Sequence, residues 1–211
     1  MPLPHPPLLV ISDRSQTQRP LTEIAAAAFA GGCRWFSLRE KDLPPAERRR
    51  LLAELVALAR PYGAVVTAHD DLAAAIAIGA GGVHLPGGGD PADARRRLPR
   101  GLVGVSAHAP DEAAALIAAG ADYVTISPIF LTVSKPGYDR TIGLAGLAET
   151  ARAARGPVVA LGGLNEANIA ACLEAGAAGV AVMGEVMRAA DPEAATRSLL
   201  RPLALRNPRP A

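Results

Sequence analysis

The sequence predicts a single-domain α/β protein, a (β/α)8 TIM barrel, and three observations support this. Eight short apolar segments alternate with segments rich in Ala and Leu that have helical character. A short motif occurs four times, at Gly31, Gly79, Gly120 and Gly176. In each copy a predicted helix ends at the glycine and a predicted strand begins a few residues later. These glycines are 48, 41 and 56 residues apart, and each interval accommodates two βα units of about 24 residues.

The eight apolar segments are predicted to be strands of a parallel sheet, because nearly every residue in them is apolar and such strands are buried on both faces. In chain order they are Leu8–Ser12, Arg34–Leu38, Ala64–Ala68, Gly82–Leu85, Val103–Ala107, Tyr123–Ser127, Val158–Leu161 and Gly179–Met183. Helices are predicted between them, for example at Leu21–Ala30, Ala46–Arg60 and Ala145–Ala154. Proline occurs where helices are expected to begin, at Pro20, Pro45 and Pro110.

We expect residues 1–202 to form the single barrel domain and residues 203–211 to form a flexible C-terminal tail with two prolines and two arginines. An open doubly wound sheet is the alternative fold. That fold usually carries G-x-G-x-x-G after its first strand, whereas this chain has Ile11-Ser12-Asp13-Arg14 there.

Composition excludes several other classes of protein. Half of the 211 residues are hydrophobic and 20% are charged, which excludes a disordered chain, a collagen and a disulfide scaffold. The net charge is +2 and basic residues form no long block, so we expect no nucleic-acid partner. No segment has the length and apolarity of a membrane span, and we expect a cytoplasmic protein with no membrane partner. The two cysteines lack metal-ligand spacing and are expected to be buried thiols.

Glycines near the ends of the last two predicted strands indicate a phosphate site. In barrels of this kind, functional groups follow the C-terminal ends of the strands. Gly162-Gly163 follows the seventh strand and Gly184 follows the eighth, where backbone N–H groups commonly bind an anion. Two ordinary turns would also explain these glycines, but the barrel context favours the phosphate site.

Charged residues at the same end of the barrel indicate a diphosphate and Mg²⁺. Arg39 and Lys41 follow the second strand, Lys135 lies after the sixth, and Asp70 and Asp71 follow the third. The chain has 20 arginines but only two lysines, and both lysines belong to this set. Carboxylates bind Mg²⁺, which together with Lys and Arg neutralises a diphosphate. The alternatives are solvated loop cations and aspartates that cap the following helix.

Three histidines also lie near predicted strand ends, at His69, His84 and His108. They show no zinc-binding spacing, so a zinc site is not expected. His84 is in the middle of an apolar strand pattern and is expected to be a packed core residue. His108 follows Ser106 at the barrel mouth and is the better candidate for a polar role.

Short segments in a specific order identify a family. They are Leu38-Arg39-Glu40-Lys41, Asp70, Gly82-Val83-His84-Leu85, Gly104-Val105-Ser106-Ala107-His108, Ala121-Asp122-Tyr123-Val124, Pro128-Ile129-Phe130-Leu131-Thr132-Val133-Ser134-Lys135, Ala160-Leu161-Gly162-Gly163 and Gly179-Val180-Ala181-Val182-Met183. With them the sequence resembles the thiamine phosphate synthase family, including its thiazole tautomerase-like branch, from about Leu8 to Pro192.

The resemblance implies a (β/α)8 barrel that joins hydroxymethylpyrimidine diphosphate to a thiazole phosphate and releases pyrophosphate with Mg²⁺. The catalytic residues it implies are Arg39, Lys41, Ser106 and Lys135. The substrate-binding residues, taken with the strand-end positions, are Ser37, His69, His108, Thr132, Ser134, Gly162, Gly163 and Gly184. The candidate Mg²⁺ ligands are Asp70, Asp71 and Asp90. The implied partners are small phosphate and diphosphate substrates, and a homodimer is possible.

The sequence departs from the synthase pattern at several positions. At the positions of Ser37, His69 and Gly184, synthases usually have Gln, Asn and Ser respectively. Asp90 lies one residue later in the chain than the second Mg²⁺-binding carboxylate of the synthases. Pro128 replaces the catalytic histidine of the tautomerase-like branch, as it does in synthases.

Three functions are consistent with this sequence. The leading hypothesis is a synthase-type transferase. The second is an isomerase that moves a proton on a thiazole carboxylate phosphate, with His108 or His69 as its base. The third is a non-catalytic binder of phosphorylated compounds of the thiamine pathway.

Overall fold

A computed structural model, which describes residues 1–132 and 140–204, confirms the (β/α)8 barrel. The strands are β1 (Leu8–Ile11), β2 (Trp35–Leu38), β3 (Val65–His69), β4 (Gly82–Leu85), β5 (Leu102–Ala107), β6 (Tyr123–Ile126), β7 (Val158–Leu161) and β8 (Gly179–Val182). Each strand pairs in parallel with the next, and β8 pairs with β1 to close the barrel. Every strand boundary lies within one residue of the position expected from the sequence.

Helices follow the strands around the outside of the barrel. They are α1 (Leu21–Ala30), α2 (Pro45–Ala59), α3 (Leu72–Ile78), α4 (Pro91–Arg97), α5 (Pro110–Ala118), α6 (Gly143–Ala154), α7 (Glu166–Glu174), α8 (Gly184–Met187) and α9 (Pro192–Ala204). Proline is the first residue of several of them, since its fixed φ suits the first turn and its missing N–H would be unpaired there. None of the helices in the described residues is both long and apolar enough to cross a membrane.

Alternation along the strands separates two apolar clusters. Leu8 and Val10 of β1 belong to the large cluster between the sheet and the helices, whereas Leu9 and Ile11 belong to a smaller one inside the barrel. Both faces of each strand are therefore buried, which is why the strand sequences are apolar at almost every position.

Two aromatic rings fill the interior of the barrel. Trp35 and Tyr123 are both fully buried, and their ring centroids are 4.8 Å apart in an edge-to-face arrangement. Gly104 of β5 makes room for Tyr123, because a Cβ atom at position 104 would lie 2.0 Å from the ring. The glycine is therefore required for space in the core.

The C-terminal helix extends further than the sequence suggests. Leu203 and Ala204, expected in the tail, form the last turn of α9, and Leu203 is 5% exposed because it packs on the core beside Leu199. The rest of the expected tail, 205–211, lies outside the described residues. Cys33 and Cys172 are both buried and unpaired, as expected, and burial raises the pKa of Cys33 to about 12.

Candidate active site

A cavity of about 380 Å³ opens at the C-terminal ends of the strands. Nine of the residues that the sequence predicts for the site line it, namely Arg39, Lys41, His69, Ser106, His108, Thr132, Gly162, Gly163 and Gly184. Ser134 and Lys135, which the sequence also places here, lie outside the described residues. The barrel thus brings together groups from the C-terminal ends of six strands.

Ser37 does not line the cavity. It lies in β2 with 1% of its surface exposed, and its Oγ has no hydrogen-bond partner within the described residues. Alternation along β2 directs it inward, as expected, but at a position the cavity does not reach. A direct contact between Ser37 and a substrate is therefore not supported by this geometry.

The cationic side of the cavity is held in place by a buried carboxylate. Glu40 is 2% exposed, and its carboxylate accepts hydrogen bonds from the N–H of Arg14 at 3.1 and 3.2 Å. Burial is the main cause that raises its pKa above the usual value. With Glu40 anchored inside, its neighbours Arg39 and Lys41 face the cavity, and neither forms an ion pair within the described residues. Their charge is available to an anionic ligand.

The strand residues that line the cavity form a polar side and an apolar side. The polar residues come from β3, β4 and β5 and are His69, His84 and Ser106. The apolar residues come from β1, β7 and β8 and are Ile11, Leu161 and Ala181. A ligand that has both polar ring atoms and apolar surface would match this division.

His84 is the centre of a hydrogen-bond network across three strands. Its Nδ1 lies 3.0 Å from Tyr123 Oη, and its Nε2 lies 3.1 Å from Ser106 Oγ and 3.4 Å from Thr125 Oγ1. The sequence predicts a packed core histidine, and His84 is indeed only 4% exposed. It nevertheless also lines the cavity, where it fixes the position of the Ser106 hydroxyl.

His69 and His84 are both uncharged near neutral pH. The rings of His69 and His84 stack with centroids 5.4 Å apart. Burial, together with the nearby Arg39, lowers the pKa of His84 to about 4. Burial, followed by the charges of His84 and Arg39, lowers the pKa of His69 to about 3. These side chains therefore provide hydrogen-bonding groups and ring surface rather than charge.

The glycine pair after β7 packs closely against the loop after β6. Gly162 and Gly163 both have positive φ, and a Cβ atom at Gly163 would lie 2.4 Å from the carbonyl oxygen of Leu131. Gly162 O accepts the N–H of Phe130 at 3.0 Å, and Gly163 O accepts Asn168 Nδ2 at 2.9 Å. The N–H of Gly163, in contrast to these carbonyls, has no hydrogen-bond partner among the described residues.

The turn into α8 supplies a second unpaired donor. Gly184 is the first residue of α8, and its N–H has no acceptor within the described part of the chain. Both unpaired N–H groups belong to residues that line the cavity. This is the arrangement that the sequence predicts for a phosphate group.

Sequence reasoning missed Arg188, which also lines the cavity. A Cβ atom at Gly184 would lie 2.1 Å from Arg188 Nη1, so the guanidinium occupies the space beside the glycine. The signal that could have indicated it is helical spacing, since Arg188 is four residues after Gly184.

The structure gives two of the candidate Mg²⁺ ligands other roles. Asp71 caps α3 by accepting the N–H of Ala74 at 2.9 Å, and it pairs with Arg48 Nη2 at 3.0 Å. Asp90 caps α4 in the same way and lies outside the cavity lining. The alternative that the sequence left open, capping, therefore describes Asp71, and it holds for Asp90 as well.

Asp70 differs from both. Its backbone is left-handed, with φ of 56°, its N–H donates to His84 O at 2.9 Å, and it is exposed. Its carboxylate has no partner within residues 1–132 and 140–204. Asp70 does not itself line the cavity, although the preceding residue, His69, does. The same described residues contain no cluster of three or more His, Cys, Asp or Glu side chains that could hold a metal ion.

A closed (β/α)8 barrel with free cations and unpaired backbone N–H groups at this end is typical of enzymes that bind phosphorylated small molecules. The comparison with protein families is more specific. The model of the family described as thiamine monophosphate synthase matches residues 8–186, and the chain belongs to that family.

Individual relatives cover nearly the whole chain. Thiamine-phosphate synthase of Roseiflexus sp. (strain RS-1) is 41% identical over 205 residues, which is 94% of this chain and 87% of that protein. Thiamine-phosphate synthase of Methanoculleus marisnigri is 42% identical over 198 residues, covering 91% and 92%. The solved structure of thiamine phosphate pyrophosphorylase from Pyrococcus furiosus superposes with a TM-score of 0.85 and 33% identity, over 94% of this chain and 95% of that one.

Proposed function

We propose that this protein is a thiamine phosphate synthase, a transferase that joins hydroxymethylpyrimidine diphosphate to thiazole phosphate and releases pyrophosphate. Family membership supports this function. The observation within the chain that carries it is the presence of two anion-binding regions in one cavity. Arg39 and Lys41 form one, and the unpaired N–H groups of Gly163 and Gly184 form the other. This arrangement would allow two anionic substrates to bind at once.

Arg39 and Lys41 would act on the leaving group. In the reaction, the bond between the pyrimidine methylene carbon and the diphosphate oxygen breaks, and its electron pair leaves with pyrophosphate. Cations fixed at that position stabilise the developing negative charge without reorganising. Lys135, outside the described residues, is proposed to join them.

The polar side of the cavity would hold the pyrimidine ring. Ser106 would hydrogen-bond to the aminopyrimidine, and His84 holds its hydroxyl in position. The depressed pKa values of His69 and His84 matter here, because positive charge develops on the pyrimidine as pyrophosphate leaves. Neutral imidazoles do not oppose that charge, whereas imidazolium ions would.

The glycine end would hold the thiazole phosphate. Its phosphate would accept from the N–H groups of Gly163 and Gly184, and Thr132, which lines the cavity, would contact its polar end. Ser134, outside the described residues, is proposed to assist. Held in this way, the thiazole nitrogen would face the pyrimidine methylene carbon and form the new C–N bond, so the main contribution of the protein would be orientation.

Mg²⁺ is the cofactor that the family implies, and Asp70, next to His69 but outside the cavity lining, is the candidate ligand that fits it best. Mg²⁺ in such sites commonly takes one or two carboxylates and completes its shell with substrate phosphates and water. The Asp70 carboxylate is unpaired within the described residues, whereas Asp71 and Asp90 are engaged as helix caps. Bound with the diphosphate, the ion would offset negative charge on the leaving group.

The isomerase alternative receives less support from the site. A proton-transfer base works best when its pKa is near the working pH, and the pKa of His69 is lowered to about 3. His108, the other candidate, is exposed at the cavity, and Pro128 lines the position after β6.

We further propose a cytoplasmic protein whose partners are small phosphorylated molecules rather than nucleic acid. The homodimer stays a prediction.

The test is direct synthesis by the purified protein. Incubated with both substrates and Mg²⁺, it should form thiamine phosphate and pyrophosphate in equal amounts, measured by chromatography and a coupled pyrophosphate assay. Lys41→Ala should lower kcat/KM by about 100-fold, since it removes a fixed charge from the leaving group. Arg100→Ala removes an exposed cation in the loop before β5, at the opposite end of the barrel, and is the matched control. Absence of product from the wild type would refute the proposal.

A further inference from the structure

Arg188 is the cation that neither the sequence motifs nor the proposed reaction has used. It follows directly after α8, and its side chain turns back over the helix start to line the cavity. The backbone of Gly184 is not in the left-handed region, yet a Cβ atom there would lie 2.1 to 2.4 Å from three guanidinium atoms. Position 184 is therefore glycine for space, and the space is filled by the Arg188 guanidinium.

A short chain of hydrogen bonds holds Arg188 in that place. Its Nη1 donates to Gln16 Oε1, and Gln16 Nε2 donates to Asp13 Oδ2 at 2.7 Å and to Met183 Sδ at 3.2 Å. The carboxylate of Asp13 can only accept, so it fixes the amide nitrogen of Gln16 toward itself and the amide oxygen toward Arg188. The loop after β1 thus orients a cation at the end of α8.

The charge of Arg188 is not neutralised within the described residues. No carboxylate lies within ion-pair distance of its guanidinium there. The acidic groups that share the cavity lining are Asp13, whose oxygens bind Ser15 and Gln16, and Glu185, which is exposed. A guanidinium that is held in position by a neutral amide keeps its positive charge and its remaining N–H donors for a ligand.

We propose that Arg188 binds the monophosphate of the acceptor substrate and selects the phosphorylated thiazole over its alcohol. This inference rests on the proposed function and deepens it. Gly163 and Gly184 supply neutral backbone donors, and Arg188 adds a charged planar group beside Gly184. Arginine matches phosphate geometry with two parallel hydrogen bonds, so it discriminates strongly against a neutral hydroxyl.

The first test compares the two substrates. Arg188→Ala should raise KM for thiazole phosphate by roughly 10- to 100-fold, the cost of a hydrogen bond to a charged group, with little change in KM for the pyrimidine diphosphate. Arg188→Lys should recover part of the loss, since it restores charge without the planar fork. Arg100→Ala is the control and should leave both KM values unchanged.

The second test uses the space shared by Gly184 and Arg188. Gly184→Ala should displace the guanidinium and raise KM for thiazole phosphate in the wild type, but add little in the Arg188→Ala background. Circular dichroism and thermal unfolding would verify that each variant is folded. Additive effects of the two substitutions would contradict the shared mechanism.

A binding measurement separates this inference from the proposed function. By calorimetry, the wild type should bind thiamine phosphate more tightly than thiamine, and Arg188→Ala should lose most of that preference. If the wild type synthesises thiamine phosphate but a folded Arg188→Ala variant keeps its KM and its phosphate preference, Arg188 is not a phosphate ligand. An equal rise in both KM values would also overturn the inference. A wild type that forms no product refutes the proposed function instead.

Discussion

Lowering the pH should destabilise this protein through His84. The pKa of His84 is about 4 in the folded chain, compared with 6.5 for an ordinary histidine. Between these values the unfolded chain binds a proton at His84 that the folded chain does not. The stabilisation is therefore fully present above about pH 6.5 and is lost as the pH falls toward 4.

The size of the effect follows from the two pKa values. Each unit of pKa difference corresponds to about 1.4 kcal/mol, and at pH 5 the His84 contribution to the free energy of unfolding has fallen by about 2 kcal/mol. The cause is burial, because His84 is 4% exposed and its Nδ1 and Nε2 face Tyr123 and Ser106. His69, whose pKa is about 3, should add a further loss over the same range.

Urea unfolding at roughly pH 7 and pH 5 measures this loss. His84→Gln should be less stable at neutral pH, because its hydrogen bonds are disrupted. Its loss between the two pH values should nevertheless be about 2 kcal/mol smaller than in the wild type. The readout is the fall in the free energy of unfolding from the higher to the lower pH, compared between the variant and the wild type. General destabilisation lowers both values of the variant equally and does not affect this comparison. His5→Gln removes an exposed histidine near the N-terminus and should show the same pH-dependent loss in the free energy of unfolding as the wild type.

If His84→Gln loses as much free energy of unfolding between the two pH values as the wild type does, this reasoning is refuted. It would mean that His84 takes up its proton in the folded protein at nearly the same pH as in the unfolded chain. Burial would then not keep His84 uncharged, and the argument for neutral imidazoles beside the pyrimidine would fail with it.

Three other substitutions test the core and the aspartates. Gly104→Ala places a Cβ atom 2.0 Å from the Tyr123 ring and should lower the free energy of unfolding by about 2 to 3 kcal/mol, measured in urea. Asp71→Ala removes an N-cap and an ion pair and should lower it by about 1 to 2 kcal/mol, with kcat largely retained. Asp70→Ala should do the reverse, with little change in stability and a large loss of thiamine phosphate synthesis.

A specific experimental result would refute each of these expectations. A Gly104→Ala variant with the wild-type unfolding midpoint would show that the barrel interior is packed more loosely around Tyr123. Equal activity losses in Asp70→Ala and Asp71→Ala would show that both carboxylates serve the reaction, and the assignment of Asp71 as a helix cap alone would then be wrong.

Local sequence patterns are sufficient to predict the barrel. Two-sided burial makes each strand apolar at nearly every residue, and glycine at helix ends marks the turn into the next strand, as at Gly79. These signals depend on neighbours in the chain, so the strand boundaries could be read to within one residue. The same rule placed Arg39, Lys41 and the glycines near the mouth, because the C-terminal ends of parallel strands meet there.

The roles of individual side chains could not be predicted in this way. An aspartate before a helix can bind a metal or cap the helix, and only the contacts of Asp71 with Ala74 and Arg48 decide between them. Asp70, one residue earlier, has a left-handed backbone that turns it away from that cap. The sequence pattern is the same for both residues, and the difference is conformational.

The sequence by itself determined the fold, the family and the end of the barrel where the chemistry lies. Only the tertiary structure decided which side chains meet there. His84 contacts residues on β5 and β6, and Arg188 meets Gln16, which is 172 residues away in the chain. The physical reason is that such contacts form only when the barrel closes and brings β8 beside β1, so that distant residues share a space that no local pattern encodes.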